Sequence, residues 1–82
     1  MVVVIFNPHF RVVFSKLKDR ILKDRIIKQI IKIRENPEIG KPMRFGRKGT
    51  REVYISPFRL SYTCLKEKNK IILLDFYHKD KQ

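Results

Sequence analysis

The sequence predicts an α+β fold: an N-terminal strand, a helical hairpin, then a three-stranded antiparallel meander, forming one twisted sheet with the helices on one face. Three observations lead there. Val2-Val3-Val4-Ile5-Phe6 is a β-branched run bounded by Asn7-Pro8. Apolar residues then recur at helical spacing as far as Ile33. After a loop rich in Gly and Pro come three short runs that read as strands separated by turns. Helices and strands segregated in this way favour an antiparallel sheet with the helices gathered on one side. With 82 residues the chain can build one core, and residues 1–82 are read as a single domain.

Each element has a local cause. Val2–Phe6 is too short for a helix and its β-branched side chains suit a buried strand. Asn7 can cap a helix, and Pro8 fits the first turn, where its missing N–H is not needed. Phe10, Val13, Phe14 and Leu17 share one helical face. From Asp19 to Glu35 a second pattern stacks Leu22, Ile26, Ile30 and Ile33. One continuous rod could not bury both apolar faces in so short a chain, so a break is expected near Leu17–Asp19. Asn36-Pro37 ends the second helix, because the residue before Pro avoids the helical region. Pro37–Gly49 is a loop. Arg51–Ser56 alternates, with Val53 and Ile55 on one side and Glu52 and Tyr54 on the other. Ser56-Pro57 is a turn. Phe58–Leu65 sets Phe58, Leu60, Tyr62 and Cys64 against Arg59, Ser61, Thr63 and Leu65. Lys66–Asn69 is a turn. Lys70–Tyr77 is apolar on both faces at Ile71–Leu74, as a central strand is.

Composition narrows the partners. Twenty Lys and Arg against 8 Asp and Glu give a formal charge of +12. So strong a field attracts polyanions and repels copies of the chain. Nucleic acid is the first partner class to consider, an acidic protein the second and a membrane surface the third. The single cysteine, Cys64, excludes an internal disulfide and reads as a buried, inert thiol. His9 and His78 stand far apart without a partner cysteine, so no metal spacing exists, and no cofactor is implied. The apolar run at Val2–Phe6 is too short for a signal peptide or a membrane span, and a cytoplasmic protein is expected.

Three groups of residues carry possible chemistry. Arg59 stands in a strand on the face the helices leave open. It reads equally as a bidentate phosphate ligand or as a solvated arginine paired with Glu52 across the hairpin. Tyr77-His78-Lys79 ends the last strand, where a histidine can move protons; the plainer reading is a frayed terminus. Lys41, Arg44, Arg47, Lys48 and Arg51 form a basic cluster interleaved with Gly and Phe45, suited to clamp a nucleic-acid backbone. The order of these segments would bring an arginine, a histidine and a lysine to one sheet face.

Taken together, Gly40-Lys41-Pro42, Arg51-Glu52-Val53-Tyr54-Ile55, Phe58-Arg59-Leu60-Ser61-Tyr62 and Tyr77-His78-Lys79 resemble the RelE/ParE superfamily of toxins over nearly the whole chain. The resemblance implies a RelE-like, microbial-RNase-like fold. It implies a toxin of a type II toxin–antitoxin pair that cleaves messenger RNA in the ribosomal A site without a metal. In that chemistry a ribose 2′-hydroxyl attacks the adjacent phosphate. By resemblance Arg59 stabilises charge, with Lys79 and Arg51 expected to help, and His78 transfers protons; Glu52, which stands in a strand where RelE carries lysines, is read as a candidate base outside the resemblance. Lys41, Arg44, Arg47, Lys48 and Tyr77 would bind RNA. Met43 stands where YoeB-type relatives carry a glutamate. The expected partner is an acidic, RelB-like antitoxin in a hetero-oligomer. Two other readings stay open: a ParE-like inhibitor that binds DNA gyrase without catalysis, and a catalytically weak homologue.

Overall fold

The computed structural model describes residues 2–42 and 49–78. Its elements follow the expected order: β1 (Val3–Phe6), α1 (Pro8–Ser15), α2 (Arg20–Glu35), β2 (Lys41–Pro42), β3 (Thr50–Ile55), β4 (Phe58–Leu65) and β5 (Lys70–His78). The sheet runs β1-β5-β4-β3-β2. β1 lies parallel to β5, and the remaining pairs are antiparallel. β5 is therefore internal, as its two apolar faces require. β2, described at Lys41–Pro42 and containing a proline, is an addition that alternation does not signal.

Both helices start on side-chain caps. The Asn7 carboxamide oxygen accepts the His9 amide at 2.8 Å, and an Asp19 carboxylate oxygen accepts the Leu22 amide at 3.1 Å. The break between the helices spans Lys16–Asp19, so the hairpin forms where the sequence places it. Phe10, Leu22, Ile26 and Ile33 from the helices pack on Ile55, Leu60, Tyr62, Ile71, Leu73 and Phe76 from the sheet, and all ten are buried. These sheet residues leave one face; the other stays uncovered by helix. Cys64 is half-buried and its thiol is free.

One irregularity decides what the sheet presents. Between Ser61 and Tyr62 the β4–β5 register shifts: Ser61 opposes Asp75, whereas Tyr62 opposes Leu73. Leu74 is the extra residue of a β-bulge. The Asp75 carboxylate accepts the amide of Phe76 at 2.8 Å, beside the interrupted ladder. The bulge inverts the facing of everything after it. Ile71 and Leu73 point to the core, and so does Phe76 three residues on, where its ring stacks on Phe58 at 4.8 Å.

Candidate functional site

Directly opposed residues in neighbouring strands share a face. Lys41 opposes Glu52, Tyr54 opposes Arg59, and Arg59 opposes Tyr77. All five side chains therefore belong to the open face. Their polar groups converge. One Glu52 carboxylate oxygen accepts an Arg59 Nη1–H at 2.6 Å, and the other accepts the Tyr77 hydroxyl at 3.0 Å. The Glu52 side chain is 18% exposed and that of Arg59 35%. The pair is thus shielded beneath but reachable from solvent. Lys41, Glu52, Val53, Tyr54 and Arg59 line a cleft of about 400 Å³. Tyr54 forms its exposed rim, with its hydroxyl 3.3 Å from Ser56 Oγ.

The guanidinium does pair with Glu52, and it does so at the floor of an open cleft beside a phenol. A carboxylate that touches an arginine and a tyrosine can accept a proton on one side and return it on the other. The arginine can stabilise a charged oxygen meanwhile.

Two sequence-selected residues lie elsewhere. His78 opposes Phe58, with its ring edge-on to the phenyl at 5.5 Å. His78 and Arg59 consequently leave the sheet on opposite faces, and the expectation that they stand side by side is corrected. The cause is the bulge at Leu74: unbroken alternation from Leu73 would have sent His78 to the open face and Tyr77 to the core. Arg51 opposes the buried Tyr62 and also leaves on the covered face. Its Nη1 donates to Gly40 O at 2.7 Å and Glu38 O at 3.3 Å, so it holds the main chain rather than facing the cleft. Arg44, Arg47, Lys48 and Lys79, together with Met43, lie outside the described residues. Tyr77, read from sequence as an RNA contact, emerges as a member of the polar cluster. Only the bulge could have signalled that, and alternation does not reveal it.

Among the described residues, no three His, Cys, Asp or Glu side chains gather as a metal site, and no helix is long and apolar enough to cross a membrane.

A strand, two helices and a meander closing over such an open face is a RelE-like architecture. The E. coli RelBE toxin–antitoxin complex contains a chain similar to this one with a TM-score of 0.83 at 18% identity, covering 95% of this chain and 96% of that one. The YoeB/ParE toxin from Agrobacterium tumefaciens is similar with a TM-score of 0.83 at 11% identity, covering 94% and 98%. The RelBE2 complex of Mycobacterium tuberculosis gives 0.69 at 25% identity, covering 95% and 98%. No match was found among curated proteins. The family model for the ParE toxin of type II toxin–antitoxin systems, parDE, matches residues 4–82. The chain belongs to that family, within the RelE/ParE toxin superfamily.

Proposed function

We propose that this toxin cleaves RNA on the ribosome, using Glu52, Arg59 and Tyr77 as its reacting set. The observation that carries the reading is the carboxylate bridging a guanidinium and a phenol on an open face whose cleft Lys41 also lines. An RNA phosphate entering the cleft would draw Arg59 from Glu52 to its own oxygens, with Lys41 on the adjacent wall. Glu52, released from the guanidinium, removes the ribose 2′-hydroxyl proton, and that oxygen attacks the adjacent phosphorus. The bond to the 5′-oxygen breaks, and the leaving oxygen takes the Tyr77 proton. Tyr77 recovers a proton from Glu52 along their existing hydrogen bond. The products are a 2′,3′-cyclic phosphate and a 5′-hydroxyl, and the proton count closes without another reactant.

A second reading has its own support. The ion pair neutralises Arg59 at rest, and the matching family model is that of ParE. This favours an inhibitor that works by contact with DNA gyrase. Primer extension on a translated message, run beside a gyrase supercoiling assay, separates the two. Cuts in the message that need the ribosome and vanish in Arg59→Ala support cleavage. Uncut message together with inhibited supercoiling overturns it.

The same reading supplies a cytoplasmic location and an antitoxin. The structures of similar toxins include complexes with antitoxins. A net charge of +12 suits an acidic partner, whose association would slow steeply as salt rises. Co-purification of a small acidic protein encoded beside the toxin tests this, and absence of such a neighbour counts against it.

A further inference from the structure

The segment that enters the cleft is anchored from the opposite face of the sheet. Tyr62 is fully buried, yet its hydroxyl has two partners: it donates to Pro37 O at 2.8 Å and accepts the Gly40 amide at 2.9 Å. Burial raises the Tyr62 pKa, so the phenol keeps the proton that the bond to Pro37 needs. Arg51 completes the hold, since its guanidinium binds the carbonyls of Gly40 and Glu38. Both the amide and the carbonyl of Gly40 are thereby engaged from the covered face.

Gly40 also has no room for a side chain. A Cβ there would lie 2.6 Å from the Tyr62 hydroxyl oxygen and 2.9 Å from the Glu52 carbonyl. The Glu52 contact is backbone and cannot swing away, so glycine is required for the close approach. The next residue is Lys41. It pairs with Glu52 in the two-residue strand β2 and forms a wall of the Arg59 cleft. Lys41 follows Gly40 directly, so whatever grips Gly40 from the covered face also sets where Lys41 meets Glu52.

We propose that Tyr62 and Arg51 are positioning residues that fix Gly40 so that Lys41 is delivered beside Arg59 as the second cation for a bound phosphate. The proposal rests on the reading that this cleft receives a polyanion. It gives Arg51 a role different from direct contact with the substrate. It also explains why a buried tyrosine, rather than phenylalanine, suits β4.

Two charge-conserving substitutions test it. Tyr62→Phe removes the hydroxyl. Arg51→Lys keeps the charge but is shorter and lacks the planar guanidinium whose Nη1 donates to both carbonyls. Binding is read in two ways, with a fluorescein-labelled single-stranded RNA and by the salt needed to elute the protein from heparin. Each substitution should weaken RNA binding about as much as Lys41→Ser does, on the order of threefold to tenfold. Each should also elute from heparin earlier although the net charge is unchanged. Combining either with Lys41→Ser should add little, because all act through the same side chain. Wild-type elution by folded Tyr62→Phe and Arg51→Lys proteins, or losses that add fully to that of Lys41→Ser, would overturn the proposal. A cooperative thermal melt verifies folding; if Tyr62→Phe fails it, Arg51→Lys carries the same comparison. Non-additive heparin elution from a protein that cleaves no RNA sinks the proposed function but leaves the positioning role standing.

Discussion

The two faces of β4 differ in what holds them and in what they can do. Phe58, Leu60 and Tyr62 point to the helices, where they pack on Phe76 and Leu73 of β5. Arg59 and Ser61, one step along the same strand, face the uncovered side. There Arg59 is held by Glu52 and flanked by Tyr54 and Tyr77. The covered face is organised mainly by close packing, which is costly to disturb, with directional bonds only where Tyr62 and Arg51 hold the Pro37–Gly40 segment. The open face is organised by a few directional bonds that water and ligands can contest. The contrast teaches that a residue's chemistry in this sheet depends on its parity along the strand. Arginine at position 59 reaches a cleft; arginine at position 51 is spent on carbonyls behind it.

Substitutions on each face sharpen that contrast. The largest effect is expected from the open face. On the proposed cleavage mechanism, Arg59→Ala should lower RNA cleavage by roughly 10²–10³, the usual scale for one lost charge-stabilising group. Glu52→Gln should fall by a similar factor. Neither opens a cavity in the core, so melting temperatures should shift only slightly. Full cleavage by Arg59→Ala in a primer-extension assay would remove the open face from the chemistry.

Next comes the covered face, with the opposite signature. Leu60→Ala should cost about 2–5 kcal/mol of stability, as expected for truncating a buried leucine. The fraction that remains folded should cleave at nearly the wild-type rate. Urea denaturation gives the stability, and activity normalised to folded protein gives the rest. A loss of activity well beyond the loss of fold would show that the two faces are coupled.

The most direct challenge compares neighbours across the bulge. Tyr77→Phe should slow cleavage by roughly 10²-fold, as for a lost proton donor, while His78→Gln changes it less than tenfold. Inverted values would mean that His78 reaches the substrate and that strand parity does not govern the site.

The smallest effect concerns pH. The Tyr62 pKa is raised in the folded protein, chiefly by burial. Its contribution to stability is therefore full below the ordinary tyrosine value of about 10 and is lost as pH rises through the folded value. Urea midpoints should fall on the alkaline side of about pH 10, and Tyr62→Phe should flatten that slope. An unchanged slope would show that the hydroxyl ionises as easily in the folded protein as in the unfolded one.

Much of this architecture follows from local rules. Asn7 caps its helix as its side chain predicts, and the break expected near Leu17–Asp19, because one rod could not bury both apolar faces, falls at Lys16–Asp19 with Asp19 as the second cap. The turn at Ser56-Pro57 and the strict alternation of β4 put Arg59 opposite the core in any register that buries Leu60 and Tyr62. Glu52 as its partner was legible too, because both residues fall on the polar side of adjoining strands. The anchoring of Gly40 was not legible, since it joins residues up to 25 positions apart through a buried hydroxyl.

Past Leu74, only the tertiary structure decides. Ile71–Leu74 is apolar on both sides, so the sequence pattern holds no parity to carry into Asp75–His78. Continued alternation would have turned Asp75 inward and Phe76 outward. Packing reverses that choice: Phe76 stacks on Phe58 in the core, and the bulge at Leu74 absorbs the extra residue. The same step turns Tyr77 toward Glu52 and His78 toward Phe58. The sequence alone determined the elements other than β2, the charge and the arginine of the open face. Which of Tyr77 and His78 joins that arginine was decided by the burial of a phenylalanine, a long-range contact that no local pattern encodes.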